Sequence, residues 1–249
     1  MTKLALLSLI LMVLLGSSIL GQSDEFAMGN KFYENKDYAS AIRMYQSVLD
    51  KEQESADLYF NLGNAYFKNG DLGLAILNYM RAQRLNPGDE DILANLEFAT
   101  QFSQVQMEGV ELNPVKAFLL SISGQYHINT LAWVSSGLFV LLMLLLIIRF
   151  GLLLAHSAVR IGLIIVVTLL ITVASLTTFK YHNEYMTRRG VIIAEEAPVY
   201  TGASELSEIE LHGAPGLVVE ILKEDGDFIE VSFDNKRRGW IHHDLVTEL

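Results

Sequence analysis

Cysteine is absent from all 249 residues, so no disulfide, thiol nucleophile or thiolate metal site can form, and the redox compartment is left open. Acidic residues are missing from the middle: no Asp or Glu stands between Glu111 and Glu184. The net charge of -11 therefore resides in two flanks, neither with a basic stripe that could neutralise phosphates, which argues against nucleic acid as a partner. No Walker loop, dinucleotide-binding glycine pattern, HExxH or GxSxG stands in a usable context. His242 and His243 are adjacent, so on a strand they point to opposite faces and cannot chelate one ion together. Glu224, Asp225 and Asp227 surround Gly226 and read as a solvated hairpin turn rather than a catalytic pair. These absences predict a protein that is not an enzyme and needs no cofactor or metal. Binding surface is what remains.

The acid-free centre holds two apolar runs, Leu131 to Ile148 and Ile161 to Phe179, separated by a connection that carries Arg149 and Arg160. As a helix rising about 1.5 Å per residue, each run can cross about 30 Å of hydrocarbon. A transmembrane helical hairpin is expected over 131–179, with Arg149 snorkelling to the interface if the first helix continues past it. A linker or interfacial segment is expected over 105–130, with Tyr126 and Trp133 near the lipid headgroups. At the start, Lys3 precedes an apolar run from Leu4 to Leu15 broken only by Ser8, then the small residues Gly16, Ser17 and Ser18. That is the layout of a secretory signal peptide over 1–21, with an uncleaved signal anchor as the alternative. Arg149 and Arg160 favour a cytoplasmic connection, whereas Lys180, Arg188 and Arg189 pull the other way. Export of the segment after Gln22 decides the orientation, and both flanks are expected on the outer side.

Within the first flank, Met28-Gly29, Phe32, Asp37, Ala41 and Tyr45 recur 34 positions later as Leu62-Gly63, Tyr66, Asp71, Ala75 and Tyr79. Asn69-Gly70-Asp71 reads as helix stop, turn and next cap, with Asn35-Lys36-Asp37 its weaker counterpart. This period and residue order resemble the tetratricopeptide repeat, expected here over 22–104. In that repeat such small residues sit where two antiparallel helices must approach closely, and aromatic residues fill the space around them. Asp89 to Gln101 reads as a capping helix that covers the last apolar face. The resemblance implies that the first helix of each repeat lines a groove, offering Phe26, Asn30 and Tyr33 from one repeat and Phe60, Asn64 and Phe67 from the next. Amides so placed could hold the backbone of an extended peptide, with the aromatics taking its side chains; packing between helices is the other reading of the aromatics.

From Gly190 onward short apolar or alternating runs are broken by Gly213, Gly216, Gly226 and Gly239, which reads as a small all-β barrel over 190–249. Ala197-Pro198-Val199-Tyr200, Leu211-His212-Gly213, and Arg238-Gly239-Trp240-Ile241 followed by Asp244-Leu245-Val246 resemble a bacterial SH3 domain. Trp240 is expected to support the barrel core.

The fold class expected is thus a multidomain membrane protein: an all-α tetratricopeptide repeat domain, a transmembrane helical hairpin and a small all-β SH3-like barrel. The order of export signal, repeats, hairpin and SH3 domain resembles the BatE-like family of Bacteroides aerotolerance proteins. That resemblance implies an inner-membrane scaffold with periplasmic domains, working with von Willebrand A-domain Bat membrane proteins in oxidative or envelope stress tolerance. A peptidoglycan-binding tether that grips the wall through its SH3-like domain is the alternative.

Overall fold

The computed structural model describes residues 24–103, 118–119, 122–151, 157–233 and 237–249, and within 24–103 the chain forms five helices. The expected export signal, much of the expected linker and the connection at 152–156 lie outside the described residues. The helices are α1 (Asp24–Glu34), α2 (Tyr38–Leu49), α3 (Ala56–Asn69), α4 (Leu72–Leu85) and α5 (Glu90–Phe102). Contacts divide the chain into two compact units, Met1–Gln53 and Glu54–Leu249.

In the first unit α1 packs on α2. A Cβ added at Gly29 would stand 2.5 Å from the Tyr45 ring, so only glycine lets the two helices meet there. Lys36 takes the left-handed backbone at φ 62°, and Asp37 caps α2 by accepting a hydrogen bond from the Ser40 N–H at 3.1 Å. In the second unit the glycine-on-tyrosine packing recurs in α3 and α4, whereas Asp71 makes no side-chain cap on α4 and instead accepts a hydrogen bond from the Asn69 amide at 2.6 Å. A Cβ at Gly63 would stand 2.7 Å from the Tyr79 ring, and Gly70 ends α3 at φ 98°. Ser55 caps α3 through the Leu58 N–H, and Asp89 caps α5 through the N–H groups of Asp91 and Ile92. α5 lies against α4 with Ile92 and Ala99 buried.

Two long apolar helices follow, α6 (Ile128–Leu146) and α7 (Ser157–Tyr181), packed on each other. Each continues into a π-helical turn, Ile147–Gly151 after α6 and His182–Met186 after α7. The apolar spans therefore run Ile128–Phe150 (23 residues) and Ser157–Met186 (30 residues), longer than the runs expected from sequence. Arg149 and Arg160 lie inside these helical segments and not in the connection, because Phe150 and Gly151 at one end and Ser157 at the other join the helical backbone. Arg149 lies over the Phe150 ring at 5.4 Å. Along α6 only Leu131 is buried, while Phe139 and Leu144 on it and Ile165 on α7 are at least half exposed, an outward apolar surface that supports membrane association.

The C-terminal sheet comprises β1 (Arg189–Ile192), β2 (Ala197–Tyr200), β3 (Ile209–Gly213), β4 (Val218–Asp225), β5 (Phe228–Ser232), β6 (Arg238–His242) and β7 (Val246–Glu248). Their order is β3-β2-β6-β5-β4-β1-β7, with every neighbouring pair antiparallel. Ile192, Val199, Val219, Val231 and Ile241 form the core of its inner face. Alternation along β6 places Gly239 and Ile241 inward and Trp240 outward. Trp240 is therefore no core residue: it is half-buried on the opposite face, with the Lys223 ammonium 4.9 Å from its ring centre.

Within the second unit the repeat and the sheet touch directly. A Cβ at Gly73 of α4 would stand 2.6 Å from the Ile192 carbonyl oxygen and 2.7 Å from Ile193 Cα. Gly216, at φ 84°, is crowded by Ile76. The Arg81 guanidinium donates to the Glu248 carbonyl at 2.8 Å, and the Ser103 hydroxyl to the Pro215 carbonyl at 2.8 Å. Segments before and after the hairpin thus share one packed surface, and a hairpin spanning a bilayer must then begin and end on the same side.

Candidate functional site

In the first repeat Phe26 is buried, with its ring 5.7 Å from that of Tyr45. Asn30 Oδ1 accepts a hydrogen bond from the Tyr45 hydroxyl at 2.8 Å, and Tyr33 meets Tyr38 edge-on at 5.4 Å. Burial pushes the Tyr45 hydroxyl up to about 12, with Tyr33 and Glu34 adding to the shift. Tyr33 is also raised, chiefly by burial. At the outer end of the pair Lys51 donates to Glu25 at 2.6 Å, which holds that carboxylate below its usual range.

The second repeat carries the same bond: Asn64 Oδ1 accepts from the Tyr79 hydroxyl at 2.7 Å, with Phe60 at 6.0 Å from the Tyr79 ring. In both repeats the amide oxygen braces the second helix against the first. Phe67 turns toward α5, where its ring lies 5.7 Å from both Phe98 and Phe102, themselves 5.0 Å apart. Phe98 is 50% and Phe102 52% exposed, so the three rings form an open aromatic ledge. Sequence reasoning missed Phe98 and Phe102. The 34-residue period could have found Phe98, which stands where Asn30 and Asn64 stand in the two repeats.

A second aromatic surface lies on the outer face of the sheet. Strand register sets Phe228 opposite His242 and Glu230 opposite Trp240, with Tyr200 paired to Trp240 from the other side. Tyr200 meets Phe228 edge-on at 5.9 Å, and Phe228 meets His242 at 5.5 Å. Lys223, held by Glu230 at 3.2 Å, covers Trp240. Among the described residues no group of three or more His, Asp or Glu is placed to hold a metal ion.

Helical repeat hairpins, an apolar helix pair that supports membrane association and a small antiparallel sheet with partly exposed aromatics offer binding surfaces. Family comparison agrees at both ends of the chain. Residues 29–70 match the TPR repeat family, residues 56–89 the tetratricopeptide repeat family, and residues 194–248 the bacterial SH3 domain family. No curated protein is similar enough to the chain to count as a match.

Proposed function

We propose that this chain is a non-enzymatic, membrane-anchored scaffold that binds protein partners through the first-helix faces of its repeats. The carrying observation is the ledge of Phe67, Phe98 and Phe102, whose Phe98 and Phe102 rings stay half exposed while packing on Phe67, with the chemistry of a partner anchor. Phe60 and Asn64 belong to the same reading as residues that would flank an extended segment of the partner, and Phe26, Asn30 and Tyr33 are the equivalent first-helix residues of the first unit taken by itself.

The order of modules supports placement in a Bat-type complex linked to oxidative or envelope stress tolerance, with von Willebrand A-domain membrane proteins as partners. In this reading an export signal over 1–21 carries the repeats across the inner membrane, and the hairpin returns the chain so that repeats and SH3 domain are both periplasmic. Contact between α4 and β1 supports a shared side. Co-purification from membranes tests the scaffold. The Phe98→Ser/Phe102→Ser double variant should lose von Willebrand A-domain partners at least tenfold while keeping its own abundance; undiminished recovery would remove the ledge from the interface.

The outer-face aromatics Tyr200, Phe228 and Trp240 favour a second reading, a tether that grips peptidoglycan. Sedimentation of the detergent-solubilised full chain with purified sacculi separates the two, because a wall binder is retained and a scaffold alone is not.

A further inference from the structure

A pocket of about 390 Å³ opens where α4, the end of the second apolar helix and the first strand of the sheet converge. In a chain of net charge -11, four cations line it, Arg84, Lys180, Arg188 and Arg189, against the side-chain carboxylates of Glu184 and Glu248. Lys180 is 4% exposed and pairs with Glu184 at 2.5 Å. Arg188 is shared between Glu224 at 2.6 Å and Glu248. Arg84 has no ion pair among the described residues and is exposed on α4. Carboxylates of Glu184, Glu224 and Glu248 already balance the buried ammonium and the Arg188 guanidinium, so the exposed Arg84 at the rim is the charge the opening offers to a further anion.

The pocket's place in the fold says which anion. Lys180 stands at the end of the apolar run, and one turn on, Tyr185 lines the pocket with its ring stacked on that of Tyr181 at 5.3 Å. Both tyrosines are close to half exposed, as expected of rings at headgroup depth. Ser123 and Gly124, just before the first apolar helix, line the same pocket, so the mouth is level with the membrane-facing ends of both spans.

We infer that this pocket binds the phosphate of an anionic phospholipid headgroup from the adjoining leaflet, through Arg84, Lys180 and Arg188. Guanidinium groups offer planar paired donors to phosphate oxygens, and the ammonium adds a point charge. The acyl chains would lie along α7, whose outward side chains are apolar. A bound lipid would thereby tie repeat, hairpin and SH3 domain together at one point. The inference rests on the hairpin lying in a bilayer.

The test uses the full chain in nanodiscs of phosphatidylcholine with or without about one fifth phosphatidylglycerol, followed by native mass spectrometry after transfer to detergent. Retention of one phosphatidylglycerol, and of no phosphatidylcholine, is expected. Arg84→Gln should reduce that retention about tenfold, and Arg84→Lys should restore most of it, a rescue that loss of fold would not show. Added millimolar inorganic phosphate distinguishes the source: unchanged retention assigns the site to lipid, and displacement assigns it to soluble phosphate. Equal retention of both lipids, or no effect of Arg84→Gln, overturns the inference. Alkaline carbonate extraction separates this failure from failure of the membrane reading, since a chain released by carbonate has no hairpin in the bilayer at all.

Discussion

Two hydrogen bonds between an asparagine and a tyrosine, Asn30 with Tyr45 and Asn64 with Tyr79, hold the repeats at the scale of single residues. Each tyrosine ring lies against a glycine that has room for nothing larger. Gly63→Ala should destabilise the chain by about 1–3 kcal/mol, read by chemical denaturation, because the added methyl must displace the Tyr79 ring. Tyr79→Phe should cost less, about 1 kcal/mol, the worth of one partly buried hydrogen bond. Tyr45 also gives the fold an alkaline limit. Its folded value of about 12 exceeds the ordinary value near 10, so the native state keeps the phenol proton at pH values where the unfolded chain has lost it. That contribution is fully present below pH 10 and is lost as pH rises to 12, a fall on the order of 2 kcal/mol. The stability difference between the natural chain and Tyr45→Phe, followed over that range, should shrink accordingly; a flat difference would contradict it. Lys36 holds left-handed backbone where the second repeat has Gly70. Lys36→Gly should raise stability by up to about 1 kcal/mol.

At the scale of elements, what could be read from sequence follows from how local each signal is. The repeat hairpins were legible because period, small residues and caps all lie within 34 positions, and the structure places Gly29 against Tyr45 and Gly63 against Tyr79 as that pattern requires. The strands were legible as short alternating runs, yet the face of Trp240 was not, since only the register with β2 and β5 shows that Gly239 and Ile241 point inward. The ends of the apolar helices were misjudged because charge marks the limit of hydrocarbon rather than the limit of helix, and Arg149 and Arg160 are helical. Contact between α4 and the sheet had no sequence signal at all. Gly73 reads as an ordinary small residue of the repeat until Ile192 and Ile193 are seen against it. Gly73→Leu should therefore lower the thermal midpoint of the full chain in detergent and open the α4 to β1 junction to protease, at a cost of about 1–3 kcal/mol. Gly137→Leu, with nothing within 4 Å of its Cβ, is the control and should leave both unchanged.

For the whole molecule, the packing of α4 on β1 ties topology to fold. A chain without cysteine allows the sidedness to be read cleanly. Single replacements Lys68→Cys in the second repeat and Leu206→Cys in the SH3 domain, both at exposed positions, should react equally with a membrane-impermeant maleimide added to intact spheroplasts. Labelling of only one would break the same-side arrangement, and labelling of neither would place both modules in the cytoplasm. The scaffold itself is tested most directly by in-cell crosslinking from a photoreactive residue at Phe98, the centre of the aromatic ledge, with mass spectrometry of the adducts. Adducts to membrane proteins bearing von Willebrand A domains, lost when Phe67→Ser is added, are the predicted result. Adducts confined to lipid or to cytoplasmic proteins would contradict the partner face and the periplasmic placement together.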